Sequence, residues 1–177
     1  MASLMNVESA AKYNLWANNR IYNALKKMSD KDRKENRKAF FKSIHNTMNH
    51  ILLADLLYRQ RIEKKPITFT SLDEVIFEDF SELEFEHRKN DKWYIGFCCS
   101  LSPLDLEKDF PFEAVGLDER EHFSLSFGTC LTNLFQHQIH HRGQVHHMIN
   151  HAGKNPPPVD IVKFARGDSD DWTGKEN

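Results

Sequence analysis

Four long stretches of this chain lack the residues that stop helices, and each repeats apolar side chains at three- and four-residue spacing. Only 7 Gly and 6 Pro occur among the 177 residues, a scarcity that disfavours disorder and turn-dense β architectures. From about Asn6 to Met28, the residues Val7, Ala10, Trp16, Ala17, Ile21, Ala24 and Leu25 follow the period of an amphipathic helix. The polar turn Ser29-Asp30-Lys31-Asp32 and a charged connection to Arg37 come next. A second helix is expected from about Ser43 to Ile62, ending before Lys64-Lys65-Pro66. A third is expected from Asp73, read as its N-cap, to about Ser100. A fourth spans about Gly128 to Ala152, with Gly153 as its stop and Pro156-Pro157-Pro158 beyond. Before it, the aromatic-rich runs Leu106 to Phe112 and His122 to Phe127 surround Gly116 and read as a β-hairpin or a long structured loop. The tail from Val159 reads as an extended strap that frays near Lys175. The expected fold is all-α: an antiparallel four-helix bundle with an insertion before the last helix, forming one domain over residues 1–177.

Composition narrows the function. The 24 Lys and Arg balance 26 Asp and Glu to a net charge of -2, which gives nucleic acid no support as a partner. Hydrophobic residues make up 40% of the chain and charged residues 28%, enough apolar side chains for a real core. The N-terminus lacks the basic-then-apolar pattern of a signal peptide. The stretch Phe123 to His141 lacks Lys, Arg, Asp and Glu, but it is dotted with Ser, Thr, Asn, Gln and His and is no membrane span. Three cysteines, Cys98, Cys99 and Cys130, with no CxxC, make no disulfide framework, so the cytoplasm is the expected compartment.

The chemistry concentrates in the fourth helix, where six of the 10 histidines fall between His137 and His151. At about 100° per residue, His137 and His141 share the apolar face with Leu134, Val145 and Met148, while His140, His146, His147 and His151 point elsewhere. Two imidazoles four residues apart rise roughly 6 Å and differ by about 40°, so both can converge on one ion. Two core histidines with separate hydrogen-bond partners are the bland alternative, which the pairing makes less attractive than metal binding. A third ligand must come from elsewhere, and the second helix offers His45 and His50. That helix is apolar nearly all round, so the wheel alone leaves the choice open, and its breadth raises the prospect of cover from a second subunit. Three neutral imidazoles leave a divalent ion with open positions, the catalytic rather than the closed structural arrangement. Such an ion can lower the pKa of a water or thiol that it binds.

Other residues carry weaker signals. Asp55 falls among Ile44, Met48 and Ile51, and a carboxylate there needs a partner: either Arg142, or, at a helix edge, water and Arg59. Gln144 could steady a ligand ring or lie exposed. The ExxH pairs Glu84-Phe85-Glu86-His87 and Glu119-Arg120-Glu121-His122 lack the inward glutamates of di-iron bundles and read as surface charge. Cys130 lies roughly 10 Å along the axis from His137 and reads as a small core residue. Cys98-Cys99 has no basic neighbour that marks a reactive thiol. The Phe-rich insertion could wall a pocket or pack in the core.

Three motifs carry a resemblance. The run Phe135-Gln136-His137-Gln138-Ile139-His140-His141-Arg142-Gly143-Gln144-Val145 resembles the HxxxHRGQ signature of the DinB family, the damage-inducible, YfiT-like metal-binding bundles. The run from Ser43 to Asp55 is similar to that family's SIxxTxNHxxxAD pattern, and Tyr13-Asn14-Leu15-Trp16-Ala17-Asn18 to its YNxWAN pattern. The resemblance implies an up-down-down-up order of the four helices. It also implies a divalent ion, zinc or nickel, on His50, His137 and His141, which selects His50 over His45. It further implies a homodimer and a small-molecule substrate such as a low-molecular-weight thiol, since thiol transferases and a thiol-dependent isomerase are among the relatives. The expected function is thus a metal-dependent enzyme of thiol-S-transferase or hydrolase type, against a non-catalytic metal- or ligand-binding stress-response protein.

Overall fold

A computed structural model describes residues 6–113 and 122–171. The expected turn at Gly116, most of the second ExxH pair and the end of the tail at Lys175 lie outside them. The described chain is mainly helical. Its elements are α1 (Val7–Leu25), α2 (Asp30–Lys34), α3 (Ile44–Ile62), α4 (Phe80–Cys99), α5 (Pro103–Glu107), β1 (Asp109–Glu113), β2 (His122–Ser126), α6 (Phe127–His151) and α7 (Ile161–Ala165).

Side-chain caps set the helix starts. Asn6 accepts from the Ser9 amide at 2.8 Å, Ser43 from the Asn46 amide at 3.1 Å and Ser126 from the Thr129 amide at 3.3 Å, each satisfying a backbone donor that the first turn leaves unpaired. The third long helix begins at Phe80, not near Asp73, and its cap is Asp79, which accepts from the Ser81 and Glu82 amides. The reason is local competition: Asp73 accepts from the Ser71 hydroxyl, and Glu74 takes the Thr70 and Ser71 amides at 2.6 and 2.7 Å, so this segment closes a turn instead of starting a helix. Residues 63–79 then run along α3 and bring the Phe77 carbonyl to His45 at 2.9 Å.

Named contacts show how the long helices meet. Between α1 and α4, Asn14 reaches Asp91 and Lys26 reaches Glu84, at 3.0 and 2.8 Å, so residue numbers run in opposite directions. Between α3 and α4, the Tyr94 hydroxyl donates to the Asp55 carbonyl at 2.7 Å, and Arg59 donates to Asn90 at 3.3 Å. Between α3 and α6, His50 meets His137 at 3.1 Å, and Asn133 donates to the Tyr58 hydroxyl at 2.9 Å. Helix α3 is covered inside the chain by α2, α4 and α6, so its apolar breadth is no argument for a second subunit.

The core has two apolar levels with a polar one between them. One level joins Ile21 and Leu25 of α1 to Ile51, Leu52, Leu83, Val145 and Ile149. The other joins Ala10 and Ala11 to Tyr94, Cys98, Cys130, Leu131 and Leu134. Between them in sequence on the four long helices lie Asn14, Asn18, Asp55, His87, Asp91, Gln138 and Arg142, all buried.

The insertion is a hairpin, as its alternating aromatics anticipate, with Asp109 opposite Ser126 and Glu113 opposite His122 in antiparallel register. Its Phe110 and Phe112 rings lie 5.0 Å from Phe127 and 6.4 Å from Tyr58 respectively. The tail is a strap interrupted by α7. The Tyr13 hydroxyl donates to the Val159 carbonyl at 2.7 Å, Trp16 Nε1 to the Asp168 carbonyl at 2.8 Å, and Phe164 sits against both rings at 5.8 Å. Ile149→Ala removes a fully buried side chain from the first apolar level, and the expected loss of about 2–5 kcal/mol is measured as a lower urea midpoint with an unchanged slope.

Candidate metal centre

Helix α6 carries His137 and His141 one turn apart, and α3 presents His50 across from them. One ring nitrogen of each lies within 4.8 Å of the corresponding atoms of the other two. The His50 and His137 Nε2 atoms are 3.1 Å apart. Imidazole nitrogens bound tetrahedrally at ~2.0–2.1 Å to one ion sit about 3.3 Å from each other, so this spacing fits a shared cation. His45, the other candidate on α3, points away and meets the Phe77 carbonyl instead.

The surroundings set the tautomers. His50 Nδ1 lies 2.7 Å from the Leu72 carbonyl, which accepts only a proton, so Nδ1 carries the hydrogen and Nε2 keeps its lone pair toward the other rings. The same logic applies to His141, whose Nδ1 faces Gln144 Oε1 at 2.9 Å. Gln144 therefore steadies a triad ring, one of its two expected roles, and its amide nitrogen meets His140 Nε2 at 3.1 Å. His137 Nδ1 is buried without a hydrogen-bond partner among the described residues. Phe41 stacks on His50 with centroids 3.8 Å apart and planes at 20°, shielding one face of that ring from water.

Burial is the main cause of the electrostatics. It lowers His50 to about 4 and His137 to about 3, assisted by the neighbouring imidazoles, while the Leu72 carbonyl works the other way on His50. His141 is lowered by burial as well, against the opposing effect of Gln144. Three neutral imidazoles with converging lone pairs are the donor set that a divalent ion takes, so the triad is compatible with metal binding.

A second cluster, Asp55, His87 and Asp91, lies in the buried polar level, and it corrects two expectations. His87 is fully buried and Glu84 nearly so, which overturns the reading of that ExxH pair as surface charge. A recurring Leu83, His87, Asp91, Tyr94, Cys98 stripe was the sequence signal for it. Asp55 is neither ion-paired to Arg142 nor at a helix edge with Arg59: it accepts from Gln138 Nε2. Arg142 instead donates to the carbonyl oxygens of Asn14, Asn18 and Gln138, the last two at 3.1 Å. The Asn14 and Asn18 amides in turn donate to the two Asp91 oxygens at 3.0 and 2.9 Å. His87 meets the Tyr22 hydroxyl through Nδ1 at 2.9 Å. Burial raises Asp55 well above the carboxylate range and pushes Asp91 up to about 7. Both Asp91 oxygens, Asp55 Oδ2 and His87 Nδ1 are engaged by amides and a hydroxyl, only Asp55 Oδ1 lacks a partner among the described residues, and Arg142 bonded to the same amides adds positive charge, which together disfavour a cation in this cluster.

The cysteines behave as expected of bystanders. Cys130 is buried in the second apolar level, and burial pushes the Cys98 thiol up to about 12. The aromatic wall of the triad comes from Phe40 and Phe41 rather than from the Phe-rich insertion, whose rings pack near Phe97, Tyr58 and Phe127.

The depressed histidines have a consequence for stability without metal. His50, His87 and His137 are neutral in the fold down to about 4, 3 and 3, but an unfolded histidine titrates near 6.5. The unfolded chain thus binds more protons below that value, and stability falls as pH drops from about 6.5 toward 4. Asp55 and Asp91 oppose this, since a raised carboxyl contributes stability that is lost as pH rises through its folded value, about 7 for Asp91. Urea unfolding of chelator-treated protein is expected to give a midpoint that declines across this acid window, with a shallower decline in His137→Gln.

Comparison with known proteins gives the family. The chain is 24% identical over 155 residues to Protein DinB of Bacillus subtilis (strain 168), an alignment that covers 84% of this chain and 87% of that protein. The sequence pattern that defines the DinB family matches residues 4–174, and so nearly the whole chain, including all three histidines of the triad, belongs to the DinB family.

Proposed function

We propose that this protein binds a divalent metal ion, zinc or nickel, through His50, His137 and His141 and uses it as an enzyme on a small molecule, by thiol-S-transferase or hydrolase chemistry. The observation that carries the reading is the convergence of three neutral imidazole nitrogens, with two tautomers set by the Leu72 carbonyl and Gln144. When bound, such an ion supplies Lewis acidity and lowers the pKa of a water or thiol. The chain's own residues hold the rings in register, keep them unprotonated through burial, and screen His50 with Phe41. A cleft of about 560 Å³ opens beside His50 and His141, a suitable size for a small molecule. A low-molecular-weight thiol as substrate and a homodimer belong to the same proposal and rest on the family; a cytoplasmic setting belongs to it as well and rests on three cysteines with no CxxC. Among the described residues no helix is long and apolar enough to cross a membrane.

The fold proposed with it is one DinB-like unit, an up-down-down-up four-helix bundle. Support comes from the contacts: residue numbers run oppositely between α1 and α4 and between α3 and α6, and together between α1 and α6, where Ala10 and Ala11 share a level with Cys130 and Leu131, and Ile21 and Leu25 with Val145 and Ile149.

Elemental analysis tests the site. His50→Ala, His137→Ala and His141→Ala are each expected to lose most bound metal, whereas His140→Ala, His146→Ala and His147→Ala retain it; full metal content in the triple triad variant overturns the assignment. Chelation is expected to lower Tm, because an ion that binds only the folded state stabilises it by mass action. A panel of thiol-conjugation and hydrolysis substrates, with and without chelator, separates an enzyme from a non-catalytic binding protein. Asp55 lies in the buried polar level, so Asp55→Asn is expected to lower the urea midpoint while leaving metal content intact.

A further inference from the structure

The loop between α2 and α3 holds an aromatic ring in water. Phe40 is 86% exposed, although burying a phenyl ring is ordinarily favourable. Its position is nevertheless fixed. The Arg37 amide donates to the Lys42 carbonyl at 2.7 Å, and the Lys42 amide to the Ala39 carbonyl at 2.8 Å. Lys38 and Lys42 take φ of 59° and 68°, left-handed backbone that is strained for a non-glycine residue. The Phe40 ring stands edge-on to Phe41 at 4.8 Å, and Phe41 in turn stacks on His50. A strained, hydrogen-bonded turn thus mounts an exposed ring on the side chain that covers a triad histidine.

The lining of the cleft beside the triad is of two kinds. Phe40, Phe41 and Leu72 are its apolar members. Ser71, Asp73 and Gln144 are polar, and the Ser71 hydroxyl bonded to Asp73 holds that carboxyl below its usual range. His50 and His141 form part of the same lining. A ligand that spans this space needs a donor group for the metal, a flat apolar group against Phe40, and tolerance for a hydrogen-bond donor near Asp73.

We infer that Phe40 and Phe41 form the specificity wall of the site, and that the substrate is a small molecule carrying an aromatic or similarly flat apolar group next to its metal-binding donor. The inference deepens the function proposed above and rests on it. Aromatic stacking adds to area burial at such a wall, and a ring that is already ordered in the free protein loses little freedom when the ligand arrives.

Isothermal titration of the metal-loaded protein with benzohydroxamate and acetohydroxamate tests it, since the two probes share a chelating head and differ in the ring. The expected result is at least tenfold tighter binding of benzohydroxamate. Phe40→Ala is expected to shrink that preference to threefold or less, with acetohydroxamate affinity and metal content unchanged, and Phe40→Leu to fall between. Phe85→Ala, which removes an exposed ring on α4, serves as the control and keeps the full preference. Equal binding of the two probes, or an undiminished preference in Phe40→Ala, overturns the wall while leaving the metal site standing. A protein that takes up no metal overturns both.

Discussion

Arg142 is buried at the centre of the chain, and the arrangement of the helices follows from what it takes to keep it there. A charge taken out of water is costly unless its protons find acceptors. Here the acceptors are side-chain amides, and each amide is committed at its other end: Asn14 and Asn18 to Asp91, Gln138 to Asp55. The relay therefore touches α1, α3, α4 and α6 at one level. The three bonds from Arg142 all leave Nη1, while its Nε and Nη2 and Asp55 Oδ1 are buried without a hydrogen-bond partner among the described residues. A rotation of any of these helices would break one of the links that the relay does make.

That constraint reaches the metal centre through sequence adjacency. Gln138 follows His137, and Arg142 follows His141. Successive residues on a helix are about 100° apart, so anchoring Gln138 and Arg142 inward turns His137 and His141 toward α3 and the cleft. On α3, Asp55 is fixed by Gln138 five residues beyond His50. The buried relay and the triad are two faces of the same helices, and the first sets the angular phase of the second. The three sequence motifs divide in this way as well. Histidines from two of them converge on the triad, whereas Asn14, Asn18, Asp55 and Arg142 hold the interior and Tyr13 and Trp16 hold the strap.

The loops finish the site. The segment that fails to become helix around Asp73 supplies the Leu72 carbonyl, which orients His50. The strained turn before α3 supplies Phe41, which covers the same ring. Both contributions come from irregular backbone, where carbonyls and side chains are free to face a neighbour because no helix ladder consumes them.

The sequence by itself determined the presence of the four long helices and the pairing of His137 with His141 on a buried face, because helical period, caps and i, i+4 spacing are local properties, and it left the insertion as either a hairpin or a long loop. The choice of His50 over His45 came from a motif, since an α3 that is apolar nearly all round offers no phase to read. Tertiary structure alone decided the rest. It gave Asp55 to Gln138, made His87 and Asp91 interior, and drew the aromatic wall from Phe40 and Phe41 instead of the Phe-rich insertion. Those outcomes depend on which polar atoms find partners across helices far apart in sequence, and a buried charge selects its neighbours only once the helices have met.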